Sequence, residues 1–154
     1  MRLSEAFLDL GPASLERLVR TIAIGKLRTY QLYEPLKVRA GLHKLNSETL
    51  RRSAPRFWAR LEEHDEDFAR DLAQAILLSH WDLVQEVLDY LGVPNEDGFF
   101  AKDLDATPYL TPGWQQRVYE HFRQRYPEEV LRLYINHLAL ELDKSAGLFK
   151  PPAA

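Results

Sequence analysis

Cysteine is absent from this 154-residue chain, and that single absence removes disulfides, thiolate metal sites and cysteine nucleophiles together. A chain without thiols suits a reducing compartment, so the composition predicts a cytoplasmic protein. Glycine is scarce, with seven residues, and none of them falls into Gly-x-Gly-x-x-Gly, Gly-x-x-x-x-Gly-Lys or Gly-x-Ser-x-Gly. The phosphate cradles and the nucleophile elbow built on those spacings are therefore missing. Long apolar runs are lacking too: stretches such as Ala75-Ile76-Leu77-Leu78 end far short of the about 20 residues that span a bilayer. No membrane association is expected. The start, Met1-Arg2-Leu3-Ser4-Glu5, lacks the basic region, apolar core and small-residue cleavage site of a secretory leader. Histidines three or four apart, His-Glu-x-x-His and Glu-x-x-His do not occur among the five histidines, so neither a metal site nor a cofactor is expected. These gaps lean against an enzyme.

What is present is enough apolar material for a core. Hydrophobic residues make up 45% and charged residues 28% of the chain, well away from the composition of disordered chains. Its length is that of one domain. The sequence predicts one helical domain over residues 1–150, with a frayed tail at 151–154.

Apolar residues recur at helical spacing almost throughout, and the alternation of strands is missing. The expected fold is all-α, a single compact bundle of about seven or eight helices. Gly11-Pro12 separates a short opening helix from one carrying Leu15, Leu18, Val19, Ile22 and Lys26 on one face. Pro35 fits the first turn of a short helix closed by Gly41. A stripe of Leu50, Ala54, Phe57, Trp58 and Leu61 marks the next helix, with a kink or restart expected near Ser53 because Pro55 lacks an N–H. Asp65 is placed to cap a core helix through Phe68, Leu72 and Ile76. A bend at Ser79-His80 precedes a helix from Trp81 to Leu91, stopped by Gly92 and Pro94. A loop near 92–113 follows, longer than compact domains usually carry. Thr111-Pro112 then reads as an N-cap and first-turn proline for a helix through Trp114, Val118, Phe122 and Tyr126. Pro127 opens the last helix, with Leu131, Ile135, Leu138 and Leu142 as its stripe.

Charge is divided unevenly. Residues 1–60 hold 12 Lys/Arg against 5 Asp/Glu, and residues 61–154 hold 8 against 18. Such asymmetry points to a charged partner or to neutralisation of one half by the other. Between Lys26 and Arg60, nine Lys/Arg face only Glu34 and Glu48, interleaved with Tyr30, Tyr33, Phe57 and Trp58. That pattern fits a nucleic-acid surface, with Lys44, Arg51, Arg52, Arg56 and Arg60 as its cations. Pro35 to Leu42 followed by Ser47 to Arg52 resembles a helix-turn-helix, although His43-Lys44-Leu45-Asn46 makes the turn longer than usual. The same cations serve equally well as a solvated helical face or as partners for acids.

Glu62-Glu63-His64-Asp65-Glu66-Asp67 could bind a divalent cation, but helical geometry prevents so many neighbouring acids from sharing one ion, and a helix start favours acids by itself. Asp97, Asp103 and Asp105 are equally explained by turn chemistry. Tyr134, His137 and Glu141 fall on one line of the last helix, and an antiparallel companion helix would bring His121 near them. With Phe99 and Phe100 from the long loop, these residues make a candidate ligand pocket. The leading expectation for function is a soluble interaction or homo-oligomerisation module, with a protein partner or self-association. The alternatives are the nucleic-acid surface and the small-ligand pocket.

Overall fold

The computed structural model describes residues 1–32 and 47–152, with the backbone alone for residues 47–50. Among the described residues there are eight helices: α1 (Leu3–Leu10), α2 (Pro12–Arg20), α3 (Ile24–Thr29), α4 (Ser47–Glu62), α5 (Glu66–Leu78), α6 (Trp81–Leu91), α7 (Trp114–Phe122) and α8 (Glu128–Leu142). No strand forms among them. The all-α expectation and the number of about seven or eight helices hold, as does the long helix-free stretch at 92–113. The stretch expected as one helix through Lys26 is divided: α2 ends at Arg20 and α3 starts at Ile24, with Ala23 N between them donating to the Ser79 hydroxyl oxygen. The short helix expected from Pro35 to Gly41, and with it the first half of the helix-turn-helix, lies outside the described residues. None of the helices is long and apolar enough to cross a membrane. The packing resolves into two compact units, Arg2–Ser79 and His80–Ala154, the latter with Met1.

In the first unit, α1 buries Leu3, Ala6 and Phe7. Its first-turn N–H groups find an acceptor far along the chain: the Glu66 carboxylate takes hydrogen bonds from the backbone N of Leu3 and of Ser4, both at 3.0 Å, and from the Ser4 hydroxyl. A carboxylate at that end also meets the positive pole of the helix dipole. Gly11, at φ +89°, closes α1 and opens α2, a backbone conformation that a side chain would strain. α2 turns Leu15, Leu18 and Val19 inward and packs mainly on α4, while α3 meets α5. α4 runs unbroken through Pro55. The restart expected near Ser53 does not occur. Pro55 is exposed, so its ring meets solvent, and the apolar contacts of Ala54, Phe57 and Leu61 on the other face hold the helix across the missing hydrogen bond. Asp65 caps α5 as expected, its Oδ1 accepting from Phe68 N at 2.9 Å. Phe57 and Phe68 stack at 5.5 Å, joining α4 to α5.

In the second unit, α6 buries Leu83, Val84, Val87 and Leu88. Gly92, in the left-handed conformation, ends it, with Val93 N bonded to Leu88 O and Gly92 N to Asp89 O, the pairing of a Schellman motif. α7 starts two residues later than Thr111 predicts and ends at Phe122, short of the expected Tyr126. Its N-cap is Gly113 at φ +84°, and the Thr111 and Pro112 carbonyls accept instead from the Arg117 guanidinium. α7 and α8 are antiparallel neighbours. The Trp114 indole at the start of α7 donates to Asp143 just past α8 at 3.0 Å, and the Tyr119 hydroxyl donates to Glu128 at the start of α8 at 2.8 Å. α8 is buried almost all round, as a central helix must be. Its Asn136 side chain accepts from Phe149 N at 2.8 Å, which fixes the chain beyond the helix just before the tail.

Candidate functional site

The predicted site residues fall at separate places. Lys44 lies outside the described residues. Arg51, Arg52 and Arg56 are exposed on α4, but Arg51 contacts Glu16 at 2.8 Å. Arg60 bonds to Asp65 at 2.6 Å while its guanidinium lies 4.3 Å over the Phe68 ring. Two of the described cations therefore face acids of their own unit. The acidic run 62–67 takes part in the same pairing: Asp65 and Glu66 cap helices, and Glu62 accepts from the Trp58 indole at 2.6 Å. With the boundary between units at Ser79-His80, residues 2–79 hold 13 Lys/Arg and 11 Asp/Glu, and residues 80–154 hold 7 and 12. The strong asymmetry at residue 60 thus shrinks to +2 and −5.

The residues of the expected ligand pocket divide as well. His121 is exposed on α7, stacked on Tyr90 at 4.3 Å and edge-on to Phe122. Tyr134, His137 and Glu141 do follow one line of α8. His137 Nδ1 stands 3.5 Å from Glu141 Oε1. Burial pushes the His137 imidazole down to about 4, so it is neutral near neutral pH. Burial pushes the Glu141 carboxyl up, and it raises the Tyr134 hydroxyl, with Glu141 adding to the effect. Tyr126 is pushed up to about 12 by burial and by its bond to Glu86, a carboxylate that also accepts from Arg125 at 2.8 Å. Among the described residues no three His, Asp or Glu side chains converge as a metal ion requires.

Phe99 and Phe100 belong to a different feature, a turn in the second unit. Directly after the Schellman stop, Glu96 and Phe99 exchange backbone hydrogen bonds at 2.8 and 3.0 Å, so Asp97-Gly98 forms a two-residue hairpin turn. Asp97 at φ +53° and Gly98 at φ +93° match the turn type that favours Asp-Gly. The Asn95 side chain holds this turn, donating to Asp89 at 3.0 Å and to Val93 O at 2.9 Å and accepting from Gly98 N at 3.0 Å. The Trp81 indole N–H, from the first turn of α6, donates to the Asp97 carbonyl. Gly98 is required twice over, by its φ and because a Cβ there would sit 2.7 Å from the Trp81 ring. Phe99 then lies against Trp81 at 4.8 Å between ring centroids, yet is 65% exposed. Beside it opens a concavity of about 720 Å³ lined by Pro94, Asn95, Glu96, Asp97, Phe99, Phe100 and Ala101.

Sequence reasoning placed Phe99 and Phe100 at a site but missed Trp81, Asn95 and Gly98, which hold them. The Asp-Gly pair after a helix stop was the available signal. His80 was missed too. Its Nε2 is buried with no hydrogen-bond partner among the described residues, and burial lowers its pKa against the opposing pull of Asp82. Compared with known protein families, curated proteins and solved structures, the chain matches none of them.

Proposed function

We propose that this protein is an interaction module, self-association included, and that it docks through the Asp97-Gly98 turn. The observation that carries the reading is Phe99: a large apolar ring, mostly exposed, on a turn locked by Asn95 and Trp81. Aromatic side chains are enriched among interface hot spots. A surface already rigid before binding loses little conformational entropy when a partner arrives. Sedimentation velocity of the wild type and of Phe99→Ser, at about 50 and about 500 mM salt, tests the self-associating form. Salt-sensitive association that Phe99→Ser abolishes supports it. A strict monomer across micromolar concentrations at low salt removes self-association and leaves a different protein as the partner.

The nucleic-acid reading has one observation in its favour, the exposure of Arg52 and Arg56 on one helix. It requires binding that weakens steeply as salt rises and that Arg52→Ala with Arg56→Ala reduces. A chain that shifts neither a duplex nor a single strand at low salt rules this reading out.

A further inference from the structure

Resting on the docking role of this turn, we infer that the concavity beside Phe99 receives a cationic peptide segment, in which Arg or Lys residues flank an apolar anchor. The apolar part of the lining, Phe99, Phe100, Pro94 and Ala101, matches an anchor of the size of leucine or larger. The polar part contains two carboxylates, Glu96 and Asp97, and no cation. Residues 80–105 hold seven Asp/Glu and only Lys102. Some of these acids are satisfied within the chain: Glu86 pairs with Arg125, Asp89 accepts from Asn95 and Asp105 accepts from Thr107 N at 3.1 Å. Glu96 and Asp97 belong to no ion pair among the described residues.

The protein itself shows twice what completes such a site. Arg60 lies 4.3 Å over the Phe68 ring and bonds to Asp65. Arg125 lies 5.8 Å from the Phe122 ring centroid and bonds to Glu86. In both cases a guanidinium covers an aromatic ring while a carboxylate holds its N–H groups, a pairing to which the flat, weakly hydrated guanidinium is suited. At Phe99 the ring and the carboxylates are present, and among the described residues no cation lines the concavity. A partner segment with an Arg beside its anchor supplies it, and complementary charge speeds the encounter and selects against acidic partners.

The test is calorimetric titration of the full chain with a short synthetic peptide carrying one leucine between arginines, at peptide concentrations up to on the order of 1 mM. Its controls are a twin with glutamate in place of each arginine and a second with serine in place of the leucine. The arginine peptide is expected to bind. Affinity should fall at least about tenfold, roughly 1.4 kcal/mol, with Phe99→Ser and again with the double variant Glu96→Gln, Asp97→Asn. Asparagine tolerates the left-handed φ at position 97, so that variant keeps the turn. Equal binding of the glutamate twin, lost with Phe99→Ser, overturns the cationic partner and keeps the docking surface. No peptide binding combined with Phe99-dependent self-association shows a second copy as the occupant and overturns this inference alone. Peptide binding unaffected by Phe99→Ser overturns both it and the docking role of the turn.

Discussion

At Gly98 two constraints meet, because the residue needs both a left-handed backbone and the space where a Cβ would strike Trp81 at 2.7 Å. Gly98→Ala is therefore expected to cost about 1–3 kcal/mol in urea unfolding and to release Phe99 from the indole. A variant as stable as the wild type, with unchanged Trp81 fluorescence, would show that the turn is not locked. His137 makes a second prediction at this scale. Burial holds its pKa near about 4 in the folded chain, against about 6.5 when unfolded. As pH falls through that interval the unfolded chain gains a proton that the folded chain does not, so stability is lost between about pH 6.5 and about pH 4. The shift corresponds to at most about 3 kcal/mol. Glu141 acts in the opposite sense: its raised pKa makes the folded chain take up a proton before the unfolded one, offsetting part of the loss at the acidic end. Unfolding free energies at about pH 7 and about pH 4.5 should therefore differ less in His137→Gln than in the wild type.

Single elements in this chain are anchored by caps from elsewhere. Glu66 satisfies the backbone N–H groups of Leu3 and Ser4, more than sixty positions away, and Ser4 is wholly buried. Removing that carboxylate leaves buried donors without acceptors, at about 1–3 kcal/mol. Asp65 serves only its own helix and Arg60, so Asp65→Ala should cost about 1 kcal/mol. Thermal unfolding is expected to rank Glu66→Ala as the more destabilised; the reverse order would mean that the contact between α1 and α5 is dispensable. Asp65 was legible because a cap and its helix adjoin in sequence. The role of Glu66 was not, since a carboxylate in an acidic run gives no sign of which distant helix end it meets. Thr111 failed as a cap for a related reason. Gly113 adopts a left-handed conformation and starts α7 itself, and a favoured capping residue does not reveal which backbone conformation its neighbour takes.

Across the whole molecule, the acids of 62–67 fall in the same compact unit as the basic stretch, while residues 80–105, the stretch that contains Phe99, keep an excess of acids, of which Glu96 and Asp97 line the concavity. Electrostatics should accordingly modulate docking at the turn while apolar contact sustains it. Raising salt from about 50 to about 500 mM, which shortens screening from roughly 14 Å to roughly 4 Å, is expected to weaken docking about tenfold without abolishing it. Complete loss at high salt would assign the interaction to charge alone and leave Phe99 without an energetic role.

The all-α class, the helix count and the positions of most helices came from the sequence by itself. Helical periodicity, the stops at Gly11 and Gly92 and the start at Pro127 are local properties, fixed by side-chain spacing and backbone sterics within a few residues. Only the tertiary structure decided where the chain divides, which charges neutralise one another, and that Trp81 and Asn95 hold Phe99 exposed at a rigid turn. Those outcomes depend on which distant groups come within hydrogen-bond or van der Waals range, and that range is set by packing, which no local pattern encodes.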